Sequence, residues 1–176
     1  RILAVTFTNK AANEMRERIG QLLRLPRRTK RSDPPVKKPV IGTFHSHCVQ
    51  ILKRHATKLG YPEKFTIYDR GDCESLARTV LRELRLNDQM IKPGDFLSII
   101  SGWKSNGVSP TGAQSRAVTD KEHLAASGYA RYQRALKLRG AFDFDDLLIC
   151  TETLFRDQPN IRAIEASRFD HILVDE

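Results

Sequence analysis

Cysteine is scarce in this 176-residue sequence, and long apolar segments are absent from it. The three cysteines, Cys48, Cys73 and Cys150, lie far apart and include no C-x-x-C pair, which argues against a disulfide scaffold or a zinc finger. No apolar run approaches the ~18 residues that a membrane-spanning helix needs. No basic-then-apolar signal segment opens the chain. We therefore expect a protein of the reducing cytoplasm that has no membrane partner.

Acidic residues are outnumbered by basic ones. The 30 Lys and Arg residues exceed the 21 Asp and Glu residues, which gives a formal net charge of +9. An excess of this size predicts a polyanionic partner, with nucleic acid as the first candidate. The alternative is a structural domain whose basic charge serves only solubility. The content of 40% apolar and 29% charged residues is typical of a globular protein with a hydrophobic core.

The first 68 residues alternate between strand-like and helix-like patterns. Residues 2–7 form an almost continuous apolar run, which is typical of a strand buried on both faces of a parallel sheet. Apolar residues recur at helical spacing over 11–23 and again over 45–59. Further short strands are predicted at 40–44 and at 65–68. This alternation favours an α/β layered fold.

The pattern then becomes helical and shows no strand up to about residue 140. The clearest signals are an amphipathic stripe over 73–84, Pro93 at a position where a helix can begin, and the capping box Thr119-x-x-Glu122. We read this block as a helical insert in the α/β domain. The predicted boundaries are 1–69 for the first part of the α/β domain, 70–140 for the insert and 141–176 for the continuation.

The continuation is predicted to contain helices at 143–155 and 160–167, followed by a buried strand at 171–174. The cluster Asp143-Phe144-Asp145-Asp146 precedes the first of these helices and favours an N-cap with acids near the helix dipole. A basic, proline-rich segment at 24–39 is predicted to be a surface loop, or alternatively an extra DNA contact. Because the chain begins with Arg1 and ends in a strand-like run, we expect it to be a piece of a longer protein.

The first candidate site is the strand-to-helix junction at residues 6–12. Ligand sites of α/β sheets lie at the carboxyl ends of the strands. Phe7 is an aromatic ring at such an end and can stack on a base. Thr8 and Asn9 supply polar groups, and the following helix N-terminus offers N–H groups to a phosphate. The alternative is that Thr8 and Asn9 only cap the helix and that Phe7 belongs to the core.

The second candidate is the junction at residues 42–48. Thr43, His45 and Ser46 can contact a phosphate backbone there. The alternative is that Thr43 or Ser46 only caps the helix and that His45 is a hydrogen-bonded structural side chain. A metal site at His45, His47 and Cys48 is not favoured, because the sequence offers no partner cluster at metal-ligand spacing.

The third candidate is Asp175-Glu176 at the end of an apolar strand. Two carboxylates in this position can hold Mg²⁺ through one group and orient a water molecule through the other, as nucleotide hydrolysis requires. Acidic residues also end many strands that have no catalytic role, and this alternative remains open from the residues alone.

Five blocks occur in a fixed order along the chain: ILAVTFTNKAANEMRERI, GTFHSHCVQIL, FTIYD, GAFDFDDLL and HILVDE. Together they closely resemble the UvrD/PcrA/Rep family of superfamily 1 DNA helicases. The resemblance covers almost the whole chain and is weakest at 24–39 and 105–118. It implies a partial RecA-like P-loop NTPase domain (α/β, parallel sheet, subdomain 1A) interrupted by a mostly helical subdomain 1B at 70–140, which lies over the DNA.

The resemblance also implies roles for individual residues. Residues 6–12 correspond to motif Ia and residues 42–48 to motif Ib, and both line the path of single-stranded DNA. The implied DNA-binding residues are Phe7, Thr8, Asn9, Lys10, Thr43, Phe44, His45 and Ser46, with Lys104 and Asn106 as backbone contacts in the insert. Asp175 and Glu176 match motif II and would bind the cofactors ATP and Mg²⁺ in the full-length parent, with Asp175 on the metal and Glu176 as the catalytic base.

The sequence departs from the family in more than one respect, and its basic segment at 24–39 is longer than the family usually carries. No G-x-x-x-x-G-K-[ST] loop is present, because none of the ten glycines precedes a lysine. The expected parent is an ATP-dependent 3′–5′ DNA helicase or translocase that acts on single-stranded DNA and single-strand/duplex junctions in repair or replication. The chain by itself is expected to be inactive as an ATPase. The alternatives are a non-catalytic DNA-binding module and a subunit of a helicase–nuclease.

Overall fold

The computed structural model describes residues 1–23 and 38–175, and the chain divides into two compact units. The first unit comprises Arg1–Ile51 and Leu154–Glu176, and the second comprises Leu52–Thr153. Most of the predicted loop at 24–39, together with Glu176, lies outside the described residues. The second unit extends beyond both ends of the helical block predicted at 70–140. The subdomain boundaries at 69 and 140 stay a prediction.

The first unit is built on a parallel three-stranded sheet, in which β1 (Ile2–Thr6) lies between β2 (Val40–Thr43) and β5 (His171–Val174). The alignment of the strands is fixed by pairs such as Thr6 with Thr43 and Val5 with Val174. The elements that start or lie in this unit are β1 (Ile2–Thr6), α1 (Asn9–Leu23), β2 (Val40–Thr43), α2 (Phe44–His55), α8 (Pro159–Ala166) and β5 (His171–Val174).

The central strand β1 is buried as its apolar run predicts. Leu3, Ala4 and Val5 are each at most 5% exposed. The strand predicted at 171–174 is present as β5, but the expectation that it is buried is wrong. Ile172, Leu173 and Val174 are between 55% and 62% exposed. The physical reason is that, among the described residues, β1 is the one element in close contact with β5, whereas α1 packs on β2, the other edge strand, and partly covers it.

The second unit is mainly helical, as the sequence predicts. Its core is formed by α3 (Arg70–Glu83), α4 (Pro93–Ser105) and α6 (Asp120–Leu138), with a short α5 (Ala113–Arg116) between the last two. The predicted capping box is confirmed, because the Thr119 side chain accepts from the Glu122 N–H and the Glu122 carboxylate accepts from the Thr119 N–H. Pro93 is the first residue of α4, which also agrees with the prediction.

A close approach between two helices decides the packing of this core. A Cβ atom on Gly128 of α6 would lie only 2.7 Å from Cε2 of Phe96 in α4. Phe96 is completely buried, and its ring packs edge-on against Tyr132 at a centroid distance of 6.0 Å. The absence of a side chain at Gly128 therefore lets the phenylalanine ring lie directly on the backbone of α6.

Two very short strands flank the helical core, and one was missed from the sequence. The strand predicted at 65–68 is present as β3 (Thr66–Ile67), but it does not belong to the three-stranded sheet. It pairs in parallel with β4 (Ala141–Phe142) in a separate two-stranded sheet. Phe142 is completely buried, and its ring stacks on Tyr61 at a centroid distance of 4.0 Å.

The remaining elements are a 3₁₀ turn at Ala56–Leu59, which follows α2, and α7 (Phe144–Asp157), which follows β4. The helix predicted at 45–59 therefore ends as a 3₁₀ turn rather than as a continuous α-helix. Over residues 1–23 and 38–175, none of the helices combines the length and the apolar character that crossing a bilayer requires.

Candidate nucleic-acid interface

The carboxyl ends of β1 and β2 lie side by side, and each strand leads into a helix. Thr6 pairs with Thr43 as the last residue of the two strands. Phe7 follows β1, and Phe44 opens α2. Their rings lie 5.5 Å apart between centroids and are tilted by 60°. The structure therefore brings together the two junctions that the sequence indicates separately, and it places an aromatic pair between them.

Phe7 is 69% exposed, which excludes the alternative that it is a core residue. Thr8 caps α1, because its Oγ1 accepts the Ala11 N–H at 3.1 Å and its carbonyl accepts the Ala12 N–H at 3.0 Å. Thr8, Asn9 and Lys10 are all exposed. The capping role of Thr8 and an exposed ring at Phe7 are thus both present at this junction.

Thr43 and Ser46 cap α2 by bonding to each other. The Thr43 Oγ1 accepts the Ser46 N–H at 3.2 Å, and the Ser46 Oγ accepts the Thr43 N–H at 3.0 Å while its hydroxyl donates to the Thr43 carbonyl at 2.8 Å. Thr43 is only 8% exposed. Both hydroxyls are therefore engaged in the helix start, which makes them positioning groups for the adjacent Phe44.

Gly42 lies next to this cap. A Cβ atom at Gly42 would be 2.7 Å from the Ser46 Oγ. Among the histidines of this junction, His45 is partly buried at the second position of α2, and the His47 ring packs edge-on against Phe169 at 5.7 Å. The packing of His47 is a structural role that the sequence pattern did not reveal.

Asp175 lies at the end of β5, beside the same edge of the sheet. Its N–H donates to the Val5 carbonyl at 3.0 Å, and the residue is exposed. It lines a cavity of about 300 Å³ together with Glu14 and Arg18 of α1. Because Mg²⁺ prefers oxygen ligands such as carboxylates, an exposed carboxylate here fits a metal–nucleotide role. Glu176 lies outside the described residues.

Lys104 does not lie where a DNA contact requires it. Its side chain is 1% exposed, and its Nζ donates to Asp143 at 2.6 Å and to Asp146 at 2.7 Å. The predicted backbone contact by Lys104 is therefore corrected, because both carboxylates neutralise the ammonium in the core. Asn106 is exposed, but its side-chain amide donates to the Gly102 carbonyl at 2.8 Å and ends α4.

The buried charged groups around Lys104 shift one another's pKa values. Burial alone would lower the pKa of Lys104, but the attraction of Asp146 and Asp143 raises it above its ordinary value. Burial raises the pKa of Asp146 to about 6, although Lys104 opposes this. One oxygen of Asp146, Oδ2, has no hydrogen-bond partner within the described part of the chain.

The capping interpretation of Asp143 is confirmed, because its carboxylate accepts the Asp146 N–H at 2.9 Å at the start of α7. The same carboxylate accepts from the Tyr132 hydroxyl at 3.2 Å.

Phe144, which follows the cap, is 59% exposed. The sequence pattern indicates Phe144 only as part of the acidic cluster. The sequence does contain a signal for Phe144, because an aromatic residue directly follows a helix-capping residue there, as Phe44 follows Thr43.

Comparison with known proteins places these features in a family. The model of the UvrD/REP helicase N-terminal domain matches residues 1–176. The ATP-dependent DNA helicase PcrA of Staphylococcus aureus (strain Mu50 / ATCC 700699) is 36% identical over 175 residues, which is 99% of this chain and 23% of the relative. PcrA of Staphylococcus epidermidis (strain ATCC 12228 / FDA PCI 1200) has the same identity over the same shares of the two chains.

The chain thus spans less than a quarter of the length of these curated relatives, at 23%. The family match nevertheless covers every residue of the chain, including both strand-to-helix junctions and the strand that Asp175 follows. This chain belongs to the UvrD/REP helicase family and corresponds to its N-terminal domain.

Proposed function

We propose that this chain is the part of an ATP-dependent DNA helicase that holds a single DNA strand at the ends of β1 and β2. The parent would translocate 3′ to 5′ and act on single-stranded DNA and single-strand/duplex junctions in repair or replication. Support comes from the family to which the chain belongs and from the name of its relatives, ATP-dependent DNA helicase PcrA. The formal net charge of +9 suits a polyanionic partner.

The observation that carries this proposal is the tilted pair of Phe7 and Phe44 at the shared end of two parallel strands. Aromatic rings at an exposed edge offer stacking surfaces to bases whatever their sequence. Asn9 and Lys10, exposed in the first turn of α1, would contact the phosphates, aided by the N–H groups of that helix end. Thr8, Thr43 and Ser46 would hold the rings in place through the two caps, and His45 would lie beside them.

Nucleotide chemistry is proposed for the end of β5. Asp175 would hold Mg²⁺ bound to ATP, and Glu176 would accept a proton from the attacking water molecule. The bound metal would neutralise charge on the phosphates. Because this sequence contains no G-x-x-x-x-G-K-[ST] loop to hold those phosphates, the chain alone is proposed to lack ATPase activity.

The organisation proposed for the parent follows the family. Residues 1–69 and 141–176 would be parts of the RecA-like subdomain 1A, and residues 70–140 would be the helical subdomain 1B. Cys48, Cys73 and Cys150 form no disulfide with one another. This suits the reducing cytoplasm, where we propose that the protein acts.

The proposal is tested by fluorescence anisotropy with a labelled single-stranded oligonucleotide. Replacing Phe7 with Ala removes one stacking ring and should weaken binding by about 5- to 140-fold, since stacking on an aromatic side chain contributes roughly 1–3 kcal/mol per base. Leu22→Ala is the matched control, because Leu22 is an 82% exposed apolar residue at the far end of α1, the helix that follows Phe7. Equal affinities of the Phe7 and Leu22 variants would contradict the proposal.

A further inference from the structure

Arg16 lies in α1 and uses both ends of its guanidinium group in hydrogen bonds. Its Nη2 donates to the Ile41 carbonyl of β2 at 2.9 Å, and its Nη1 donates to the Asn13 Oδ1 at 2.6 Å. Asn13 lies three residues earlier on α1, so its amide holds the guanidinium group while that group reaches the strand. Arg18 pairs instead with Glu14 of its own helix. Of these two arginines, Arg16 is therefore the one that links α1 to the sheet.

This link joins the two strand-to-helix junctions of the candidate interface. Phe7 lies between β1 and α1, and Ile41 lies three residues before Phe44 in the chain. The pairing of β1 with β2 already aligns the two junctions. The bond from Arg16 to Ile41 is a second connection between the same segments, and it spans 25 residues of sequence. Together, the two connections restrict how the ring of Phe7 lies relative to the ring of Phe44.

The link between α1 and β2 lies at the surface of the first unit. Arg16 is exposed and Ile41 is partly buried, whereas the buried apolar part of the sheet comes from β1. The net contribution of one exposed hydrogen bond to folding is small. The interaction of aromatic rings, by contrast, depends on their mutual distance and tilt. We therefore expect the loss of Arg16 to change ligand binding more than it changes stability.

We propose that Arg16 is a positioning residue for single-stranded DNA, because it holds β2 against α1 and so keeps Phe7 and Phe44 at their mutual distance. The inference rests on the proposed function for the identity of the ligand. A guanidinium group suits this role, since its rigid planar fork of donors can bond two acceptors in a fixed geometry. Arg16 acts through the two rings and does not itself contact a phosphate.

Two variants of the 176-residue chain remove the link in different ways. Arg16→Met removes both hydrogen bonds and one charge, and it should weaken binding of a labelled single-stranded oligonucleotide by about 2- to 10-fold. Asn13→Ala changes no charge and removes only the acceptor that holds the guanidinium group, so it should weaken binding by a smaller factor. Because alanine favours a helix more than asparagine does, the Tm of Asn13→Ala should be unchanged or raised.

The matched control is Arg162→Met, which removes an exposed arginine of α8 in the same unit. Binding is measured by fluorescence anisotropy from 50 to 300 mM salt. A positioning residue leaves the slope of log K against log salt concentration equal to that of the control, whereas loss of a direct phosphate contact lowers the slope by about 0.7 on a single strand.

A double-mutant cycle with Phe7→Ala separates positioning from a general loss of structure. In the Phe7→Ala background the ring pair no longer exists, so Arg16→Met should then weaken binding by less than it does in the unmodified chain. A merely structural role of Arg16 would give the same loss in both backgrounds, and that result would overturn the inference.

The remaining outcomes are equally decisive. The inference is overturned if Arg16→Met has the affinity of Arg162→Met, if Asn13→Ala binds as tightly as the unmodified chain, or if the salt slope of Arg16→Met falls by about 0.7 relative to the control. If one of these results occurs while Phe7→Ala weakens binding, the proposed function stands and the inference alone fails. If Phe7→Ala leaves binding unchanged, the proposed site fails and the role of Arg16 fails with it.

Discussion

Lys104 and Asp143 form an ion pair in the core of the second unit, with 2.6 Å between Nζ and the carboxylate oxygen. A second pair joins the same ammonium to Asp146 at 2.7 Å. One lysine therefore compensates two buried acids that begin α7, and the hydroxyl of Tyr132 completes the arrangement. The same contacts fix the position of Phe144, which lies between the two acids in sequence.

Removing the lysine should be strongly destabilising. Lys104→Met leaves two carboxylates buried without a cation, and the free energy of unfolding should fall by about 3–5 kcal/mol, as for other broken buried pairs. Urea denaturation at pH 7 measures this. Lys121→Met is the matched control, because Lys121 is 57% exposed in its pair with Asp95 and should change stability little. Equal losses in the two variants would contradict the structural role of Lys104.

The raised pKa of Asp146, about 6, predicts a specific pH dependence. The folded protein binds a proton on Asp146 at a higher pH than the unfolded chain does, so this group favours folding at low pH. Its contribution is complete below the unfolded value of about 3.9 and is lost as the pH rises through about 6.

The measurement is the free energy of unfolding in urea between pH 4.5 and 7.5, with Asp146→Asn as the comparison. Asparagine cannot titrate, so the difference in unfolding free energy between the two proteins should change over this range. A constant difference would mean that Asp146 stays ionised throughout.

Gly128 should not tolerate a methyl group. The Cβ of Gly128→Ala would lie 2.7 Å from the buried ring of Phe96, and overpacking of this kind costs about 1–3 kcal/mol. The matched control is Gly102→Ala in α4, where a Cβ meets nothing within 4 Å. That substitution should stabilise the helix by about 0.4–1 kcal/mol. Thermal unfolding of both variants checks the prediction through the opposite signs of their Tm shifts.

The cap between Thr43 and Ser46 should matter for stability and for the proposed DNA site together. Thr43→Ala removes one side of the reciprocal bonding and should cost about 0.5–2 kcal/mol. Thr43→Ser keeps a hydroxyl in the same place and is expected to keep most of this stability. Because Phe44 follows the cap, we also expect Thr43→Ala to weaken single-strand binding relative to Thr43→Ser. Equal stability of the two variants would show that the cap contributes nothing.

The proposed nucleotide role of Glu176 needs a protein that carries this chain together with a phosphate-binding loop. There, Glu176→Gln should abolish most ATP hydrolysis and leave ATP binding intact, because the amide keeps the shape of the side chain but cannot accept the proton. Steady-state ATPase assays and nucleotide-binding titrations measure the two effects. An unchanged rate of ATP hydrolysis in the variant would show that Glu176 is not the catalytic base and that Asp175-Glu176 only follow the strand.

Local patterns in the sequence were sufficient for much of the fold. The apolar run at 2–7 predicts the buried strand β1, and Thr119-x-x-Glu122 predicts the start of α6. These features depend on neighbours within a few residues, which the sequence displays directly. The exposure of β5 was predicted incorrectly, because its apolar residues carry no information about which elements cover them in this chain.

The sequence by itself determined the order of the elements, the positions of the caps and the two junctions that carry Phe7 and Phe44. Only the tertiary structure decided that these two rings meet, because their contact depends on the pairing of β1 with β2 across more than thirty residues. It also decided that Lys104 is a core cation rather than a surface one. Its partners lie 39 and 42 residues further along the chain, and burial beside two acids is a property of packing that no local pattern contains.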